Sequence, residues 1–211
     1  MKHFLDKEKV KLKDMTFAEK RWYLWEYYKF HLFIGGMVLF FLGSLINHLW
    51  LNPPRDNYLY LAWSAQPVSA FQLTALADDL SLIVENPARE QVMITSYVEG
   101  LDQELNMAIR VRRMSLLSSG SLHGFITTYH ELEELYDTYF LQPLSALSPY
   151  LDLSQFELAF VSGTDQPMAL SLAHSPLLES LGMASADLYF ALSSTSQQLY
   201  PFAKAVQHLL P

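Results

Sequence analysis

Cysteine is absent from this 211-residue sequence. Its absence excludes disulfide bonds, thiolate metal ligands, a cysteine nucleophile and the lipid-modified cysteine of a bacterial lipoprotein. It does not identify the compartment, because a domain without thiols is stable under both reducing and oxidising conditions.

Basic side chains are scarce after the first quarter of the chain. Residues 51–211 contain six Lys or Arg and seventeen Asp or Glu, a net charge of −11. Because a surface this acidic repels phosphates, we expect no nucleic-acid partner. Residues 1–31 have the opposite balance, with eight basic and five acidic side chains and a net charge of +3.

Recognisable catalytic motifs are also missing from the sequence. It contains no P-loop, GxGxxG, GxSxG, HExxH or Ser-x-x-Lys pattern. The seven histidines are scattered, and His130 beside Glu133 and Glu134 falls short of the three or four ligands that a metal site needs. We therefore expect no enzyme activity, no cofactor and no metal.

One long run without any formal charge is present at residues 32–51, LFIGGMVLFFLGSLINHLWL. At about 1.5 Å per residue, a helix of this length covers roughly 30 Å, the thickness of a hydrocarbon core. Soluble cores rarely need so long an uncharged stretch, so a transmembrane helix is favoured over a buried core helix. The aromatic residues Trp22, Trp25 and Trp50 at its borders agree with this interpretation.

The charges around this run predict its orientation. Basic residues precede it, and Arg55 is the only one close after it, so the positive-inside rule places the N-terminus in the cytoplasm and the following domain outside the cell. The sequence continues Asn52-Pro53-Pro54 without a small-x-small cleavage pattern, which favours an uncleaved signal anchor over a signal peptide.

These features divide the chain into five predicted parts. A capping box, Thr16 with Glu19, opens a helix ahead of the membrane. We assign a cytoplasmic tail to 1–15, a juxtamembrane amphipathic helix to 16–31, the transmembrane helix to 32–51, a linker to 52–57 and an extracellular α/β domain to 58–211.

Strand and helix patterns alternate in the predicted outer domain. Asn57–Ser64 and Gln91–Val98 have strand character, and a second capping box at Ser69 opens a helix between them. A helix at Asp102–Leu117 is expected to face inward through Leu105, Ile109 and Leu116. The alternation predicts an α/β fold with a mostly parallel sheet flanked by helices.

Three segments of this domain resemble one lobe of the extracellular solute-binding, periplasmic-binding-protein-like family. They are Leu116–Leu147, Met168–Leu181 and Asp187–Leu210, about seventy residues together. The resemblance implies a single solute-binding-like lobe outside the cell. A complete member has two lobes with the ligand between them, so no ligand-contacting residue is transferred to this chain.

The beginning of the chain carries a second resemblance. The segment MTFAEKRWYLWEYYKFH is similar to the start of membrane-anchored proteins of low-GC Gram-positive bacteria. This resemblance implies a membrane-anchored protein.

The turn after the last predicted strand is the candidate ligand site. It consists of Ser193, Ser194, Thr195 and Ser196. We expect it at the carboxyl edge of the sheet, where α/β proteins bind ligands, and just before a helix N-terminus, which attracts anions. The alternative is ordinary helix N-capping by these hydroxyl groups.

Two further groups of residues are candidate partner-binding sites. Gly36 and Gly43 fall near one face of the membrane helix and leave room for a second helix, or are small residues without a partner. The second group is an acidic cluster of Glu131, Glu133, Glu134 and Asp137. It is expected either to contact a basic partner or to form a hydrated helix face. The basic cluster Arg110, Arg112 and Arg113 is expected to pair with acids of the domain, an anion site being the alternative.

Together these observations favour an extracellular binding or interaction module held by one membrane helix. We expect the lipid bilayer and a membrane protein as its partners, as for an accessory subunit of a transporter or cell-envelope complex. The alternative is an extracellular hydrolase whose carboxylates form no recognisable motif.

Overall fold

A computed structural model describes residues 15–51, 53–100, 102–184 and 186–210. The predicted cytoplasmic tail lies outside the described residues, apart from Met15. The chain divides into two compact units, Met1–Pro54 and Arg55–Pro211. Each unit is described by itself.

The first unit is built on one long helix, α1 (Phe17–Ile46), which continues as a π-helical turn at Asn47–Leu51. It begins at the predicted capping box. The Thr16 amide donates to Glu19 Oε2 at 2.7 Å, and the Glu19 amide donates to Thr16 Oγ1 at 3.4 Å. These bonds satisfy amides that the first helical turn cannot pair internally.

The apolar part of this unit is long enough to cross a membrane. It spans Tyr28–Leu51, 24 residues, and none of its most apolar window is buried by the rest of the described chain. Membrane anchors and N-terminal signal sequences share this length and composition.

The second unit contains six strands and five further α-helices among its described residues. In chain order they are β1 (Asp56–Trp63), α2 (Ala70–Leu80), β2 (Glu90–Ser96), α3 (Gln103–Ser118), β3 (Gly124–Thr127), α4 (Tyr129–Asp137), β4 (Leu158–Phe160), β5 (Pro167–Ser171), α5 (Pro176–Ser180), β6 (Tyr189–Leu192) and α6 (Leu199–Leu209). Short 3-10 helices lie at Ser81–Ile83, Leu144–Leu147 and Leu153–Gln155.

The strands form one sheet in the order β2-β1-β3-β6-β5-β4. The α/β class with flanking helices is confirmed. The sheet, however, is mixed rather than mostly parallel, because β1 is parallel to β2 and β3, whereas the pairs β3–β6, β5–β6 and β4–β5 are antiparallel. Residues 161–166 between β4 and β5 permit only a hairpin.

Alternating side chains of the strands fill a core on each face of the sheet. On the first face, Leu59, Leu61 and Trp63 of β1 pack with apolar residues of α2 and α6. On the second face, Tyr60 and Ala62 pack with residues of α3 and α4. The period of two therefore buries both faces of β1 from Leu59 to Trp63. Both α3 and α4 pack on the second face.

Gly124 allows α6 to approach the sheet closely. A Cβ atom at this position would clash with the Phe202 ring and lie 2.8 Å from the Ala191 carbonyl oxygen. Phe202 in turn stacks on Phe190 with ring centroids 4.1 Å apart. Only glycine leaves room for this arrangement.

Candidate functional site

The second face of the sheet contains a groove between α3 and α4 with a volume of about 510 Å³. Its charged lining consists of Glu99, Arg110, Arg113, Glu131 and Glu134. Its apolar lining includes Met114, Leu135 and Phe140. We call this feature the α3–α4 groove. It is a concave surface in which charged side chains outnumber apolar ones.

Arg113 and Glu131 join the two helices at the base of the groove. Arg113 Nη1 donates to Glu131 Oε1 at 3.0 Å, and the two side chains are only 15% and 22% exposed. Burial raises the pKa of the Glu131 carboxyl, and the Arg113 guanidinium offsets part of this effect. A pair this buried is retained because either charge alone would be costly to desolvate.

Ser64 lies next to this ion pair, directly after β1. Its hydroxyl favours the charged form of Glu131 and so lowers that carboxyl's pKa. Yet Ser64 Oγ is buried and completes no hydrogen bond of ordinary geometry with the described residues. The Ser64 hydroxyl, the Arg113 guanidinium and the Glu131 carboxylate therefore lie close together, although they are far apart in the sequence.

Arg110 and Glu99 form a second ion pair at the rim of the groove. Arg110 Nε and Nη2 each donate to one Glu99 oxygen at 2.6 Å, a bidentate geometry. These hydrogen bonds lower the pKa of the Glu99 carboxyl. Arg110 and Arg113 thus pair with acids of the domain, as expected from the sequence, and their charges are already compensated.

The outward face of α3 is unusually apolar. Met107, Val111 and Met114 are 69%, 64% and 50% exposed. Leu105, predicted to point inward, is 56% exposed, whereas Ile109 and Leu116 face the core as predicted, together with Leu117. Residues 107, 111 and 114 are spaced four and three positions apart and therefore share one helix face, a pattern that is already present in the sequence.

The predicted acidic cluster is divided by the geometry of α4. Glu131 and Glu134 line the groove, whereas Glu133 accepts a hydrogen bond from Ser162 Oγ at 2.8 Å. Glu134 lies 3.5 Å from His130 Nε2 on the same helix. Asp137 is exposed near the end of the helix and is not part of the groove lining. Helical spacing brings together residues three or four apart, which explains the division.

The predicted ligand turn lies at the edge opposite the one expected. Since β6 runs antiparallel to β3, Ser193–Ser196 follows β6 beside the start of β3, and the Ser193 amide donates to the His123 carbonyl at 3.0 Å. Ser193 and Ser196 are buried, and Ser194 and Thr195 are exposed. None of the four caps α6, whose N-cap is Gln198 without a side-chain cap bond.

The predicted partner glycines lie in open surroundings. A Cβ atom at Gly36 or Gly43 would meet no other atom within 4 Å. Within the described part of the chain, no three His, Asp or Glu side chains come together as a possible metal site.

The fold and groove define an α/β domain preceded by one apolar helix. No protein-family model and no curated protein matches the chain. Among solved structures, it is weakly similar to an extracellular solute-binding protein family 1 from Alicyclobacillus acidocaldarius subsp. acidocaldarius DSM 446, with a TM-score of 0.35 and 8% identity. The match covers 56% of this chain and 28% of that protein, so it spans less than a third of the solved chain. Similarity at this level carries no conclusion about ligand or partner.

Proposed function

We propose that this protein is a membrane-anchored extracellular interaction module that associates with a partner in the membrane. The observation that carries the proposal is the apolar helix Tyr28–Leu51, which nothing in the described chain buries. A helix of 24 mostly apolar residues exposed to water is unfavourable, whereas in lipid its backbone groups are satisfied within the helix.

The distribution of charge supports the proposed orientation. The basic residues before the helix favour the cytoplasm, and the domain of net charge −11 follows it on the other side. The resemblance of the N-terminal segment to membrane-anchored proteins of low-GC Gram-positive bacteria agrees with an anchor but stays a prediction.

The α3–α4 groove supports a binding role for the outer domain. Exposed Met107, Val111 and Met114 stand beside a concave surface with paired charges. Contiguous exposed apolar side chains on a folded domain are characteristic of interaction sites. An accessory subunit of a transporter or cell-envelope complex fits these properties.

Membrane fractionation and protease treatment of intact cells test the proposal. The full-length protein should stay in the membrane pellet after alkaline carbonate washing and enter solution only with detergent. Protease added outside should digest the α/β domain, while a cytoplasmic marker protein stays intact. Recovery of the uncleaved protein in the soluble fraction, or a domain protected until lysis, would contradict the proposal.

Co-purification from mild detergent tests the interaction. The tagged full-length protein should retain a membrane-protein partner in a fixed ratio. If the purified protein carries no partner while its outer domain binds a small molecule tightly, an interaction module is the wrong function.

A further inference from the structure

We infer that the α3–α4 groove is the docking surface for a basic, amphipathic helical segment of the partner protein. This inference rests on the proposed function and adds the location of the contact and the chemistry of the partner. The groove, the exposed face of α3, the balance of charge and one strained residue support it.

The exposed face of α3 has the shape and chemistry of one half of a helix–helix contact. Met107 to Met114 covers about 10 Å along the helix, roughly two turns. Because α3 faces the core through Ile109 and Leu116, this apolar stripe is not needed for packing within the domain. Methionine side chains are flexible and polarizable, and they are frequent on surfaces that bind the apolar face of another helix.

The groove provides the second wall for such a contact. Met114 belongs both to the apolar stripe and to the groove lining, and the partly buried Phe140 continues the apolar surface beyond the end of α4. Leu135 of α4 also lines the groove but is only 2% exposed. A depression between two helices accepts the apolar face of a third helix, with anchor side chains three or four residues apart. A partner helix of two to three turns would cover it.

The charge of the groove selects a basic partner. Three carboxylates and two guanidinium groups line it, and both guanidinium groups already pair with Glu99 and Glu131. Glu134 is 68% exposed, and its only ion pair among the described residues is a 3.5 Å contact with His130. In a domain of net charge −11, the charge left for a partner is acidic, which favours Lys or Arg on the partner and repels anionic lipid headgroups.

Tyr139 is an independent sign of a contact at this site. It adopts the left-handed conformation with φ 60°, which glycine or asparagine normally occupies after a helix. Its side chain is 87% exposed and lies between the groove residues Thr138 and Phe140 in sequence. A bulky residue kept in a strained conformation while its ring contacts solvent points to a role outside folding. Tyrosine is among the residues most enriched in interface centres.

Site-specific photocrosslinking in native membranes tests the location. A photoreactive phenylalanine analogue is placed at Val111 in the full-length chain and, as the control, at Leu82, which is 76% exposed beside residues that pack on the opposite face of the sheet. The Val111 probe should capture a peptide with apolar residues three or four apart and an excess of Lys or Arg, and the Leu82 probe should not. Capture of lipid, of a second copy of this chain or of an acidic segment, or equal capture at both positions, would overturn the inference.

Co-purification with matched variants tests the contribution of the groove. Val111→Lys, on the exposed apolar stripe of α3, and Tyr139→Gly, next to the groove in sequence, should each reduce the retained partner about tenfold, since anchor side chains dominate interface energies. Leu82→Lys, the same change on the other face, should retain it as wild type does. Raising the salt concentration should weaken the wild-type complex, because it screens the opposite charges.

The outcomes separate this inference from the proposed function. If Val111→Lys and Tyr139→Gly each retain the partner within about twofold of wild type, the groove with the α3 stripe is the wrong surface, and the interaction module stands. If wild type retains no partner, both fail. Tyr139→Gly also guards against misfolding, because it relieves backbone strain and its melting temperature should be equal to or a few degrees above that of wild type.

Discussion

His123 is a buried histidine held in one protonation state by the backbone beside it. Its Nδ1 accepts a hydrogen bond from the Tyr60 amide at 3.0 Å, and its own amide donates to the Tyr60 carbonyl at 2.9 Å. Burial lowers the pKa of the imidazole to about 4. Protonation in the folded state would therefore break this bond and place a charge in the core.

This environment predicts acid sensitivity. The unfolded histidine binds a proton near pH 6.5 and the folded one near pH 4, so the stabilisation is complete above 6.5 and is lost as the pH falls to 4. The loss should be about 3 kcal/mol of unfolding free energy. Urea unfolding across this range measures it for wild type and for His123→Asn, whose amide oxygen replaces Nδ1 as acceptor.

The unfolding free energy of His123→Asn should depend less on pH than that of wild type. His130→Asn serves as the control, because that side chain is 85% exposed. If wild type and His123→Asn lose the same stability between pH 6.5 and 4, the buried histidine is not the cause. The two variants must be compared with wild type because Glu131 has a raised pKa and therefore adds unfolding free energy as the pH falls, which opposes the effect of His123.

The Arg113–Glu131 pair leads to a second prediction at the residue scale. Arg113→Ala leaves the Glu131 carboxylate buried without its partner and should cost about 2–3 kcal/mol of unfolding free energy. Arg110→Ala breaks the exposed pair with Glu99 and should cost less than about 1 kcal/mol. Chemical denaturation at pH 7 distinguishes the two. Equal losses would show that burial does not control the strength of these pairs.

At the scale of elements, α4 ends in a Schellman motif with a residue that does not suit it. The Phe140 amide donates to the Leu135 carbonyl and the Tyr139 amide to the Tyr136 carbonyl, both at 2.9 Å. These bonds place Tyr139 at the left-handed position. The helix therefore ends at Asp137.

Relief of this strain should stabilise the domain. Tyr139→Gly should increase the unfolding free energy by about 1 kcal/mol, because glycine adopts this conformation without a steric penalty. Tyr139→Ala removes the ring but keeps the Cβ atom and should give no comparable gain. Thermal unfolding followed by circular dichroism compares the three proteins. A melting temperature for Tyr139→Gly below that of wild type would show that Tyr139 is not strained.

At the scale of the whole molecule, the chain contains two units that differ in how they expose apolar side chains. The helix Tyr28–Leu51 presents apolar side chains on every face, whereas the unit from Arg55 onward buries its apolar side chains in two core clusters. An acidic surface is favourable in water, whereas a helix of this composition satisfies its own backbone groups and is favourable in lipid.

A charge in the middle of the apolar helix should therefore disturb membrane insertion without affecting the folding of the α/β domain. Phe40→Arg should cost about 2.5–3.5 kcal/mol of insertion free energy and shift protein out of the carbonate-resistant membrane fraction. Phe71→Arg, at a position 81% exposed in the α/β domain, should leave the distribution unchanged. Identical fractionation of the two variants would show that the helix is not embedded in lipid.

Local chemistry in the sequence determined much of this protein. The uncharged run 32–51 identified the apolar helix, the capping boxes at Thr16 and Ser69 identified two helix starts, and period-two alternation identified β1 within one residue at each end. These features depend only on residues that are close in sequence, so they can be predicted without knowing the tertiary structure.

Only the tertiary structure decided which distant residues meet. The antiparallel placement of β6 moved Ser193–Ser196 away from the carboxyl edge of β1, and the packing of α3 against α4 joined Arg113 to Glu131. Strand order and helix rotation follow from how the whole chain buries its apolar surface, and many arrangements satisfy the same local pattern. Partners 18 residues apart, as in this ion pair, therefore become visible only when the chain is folded.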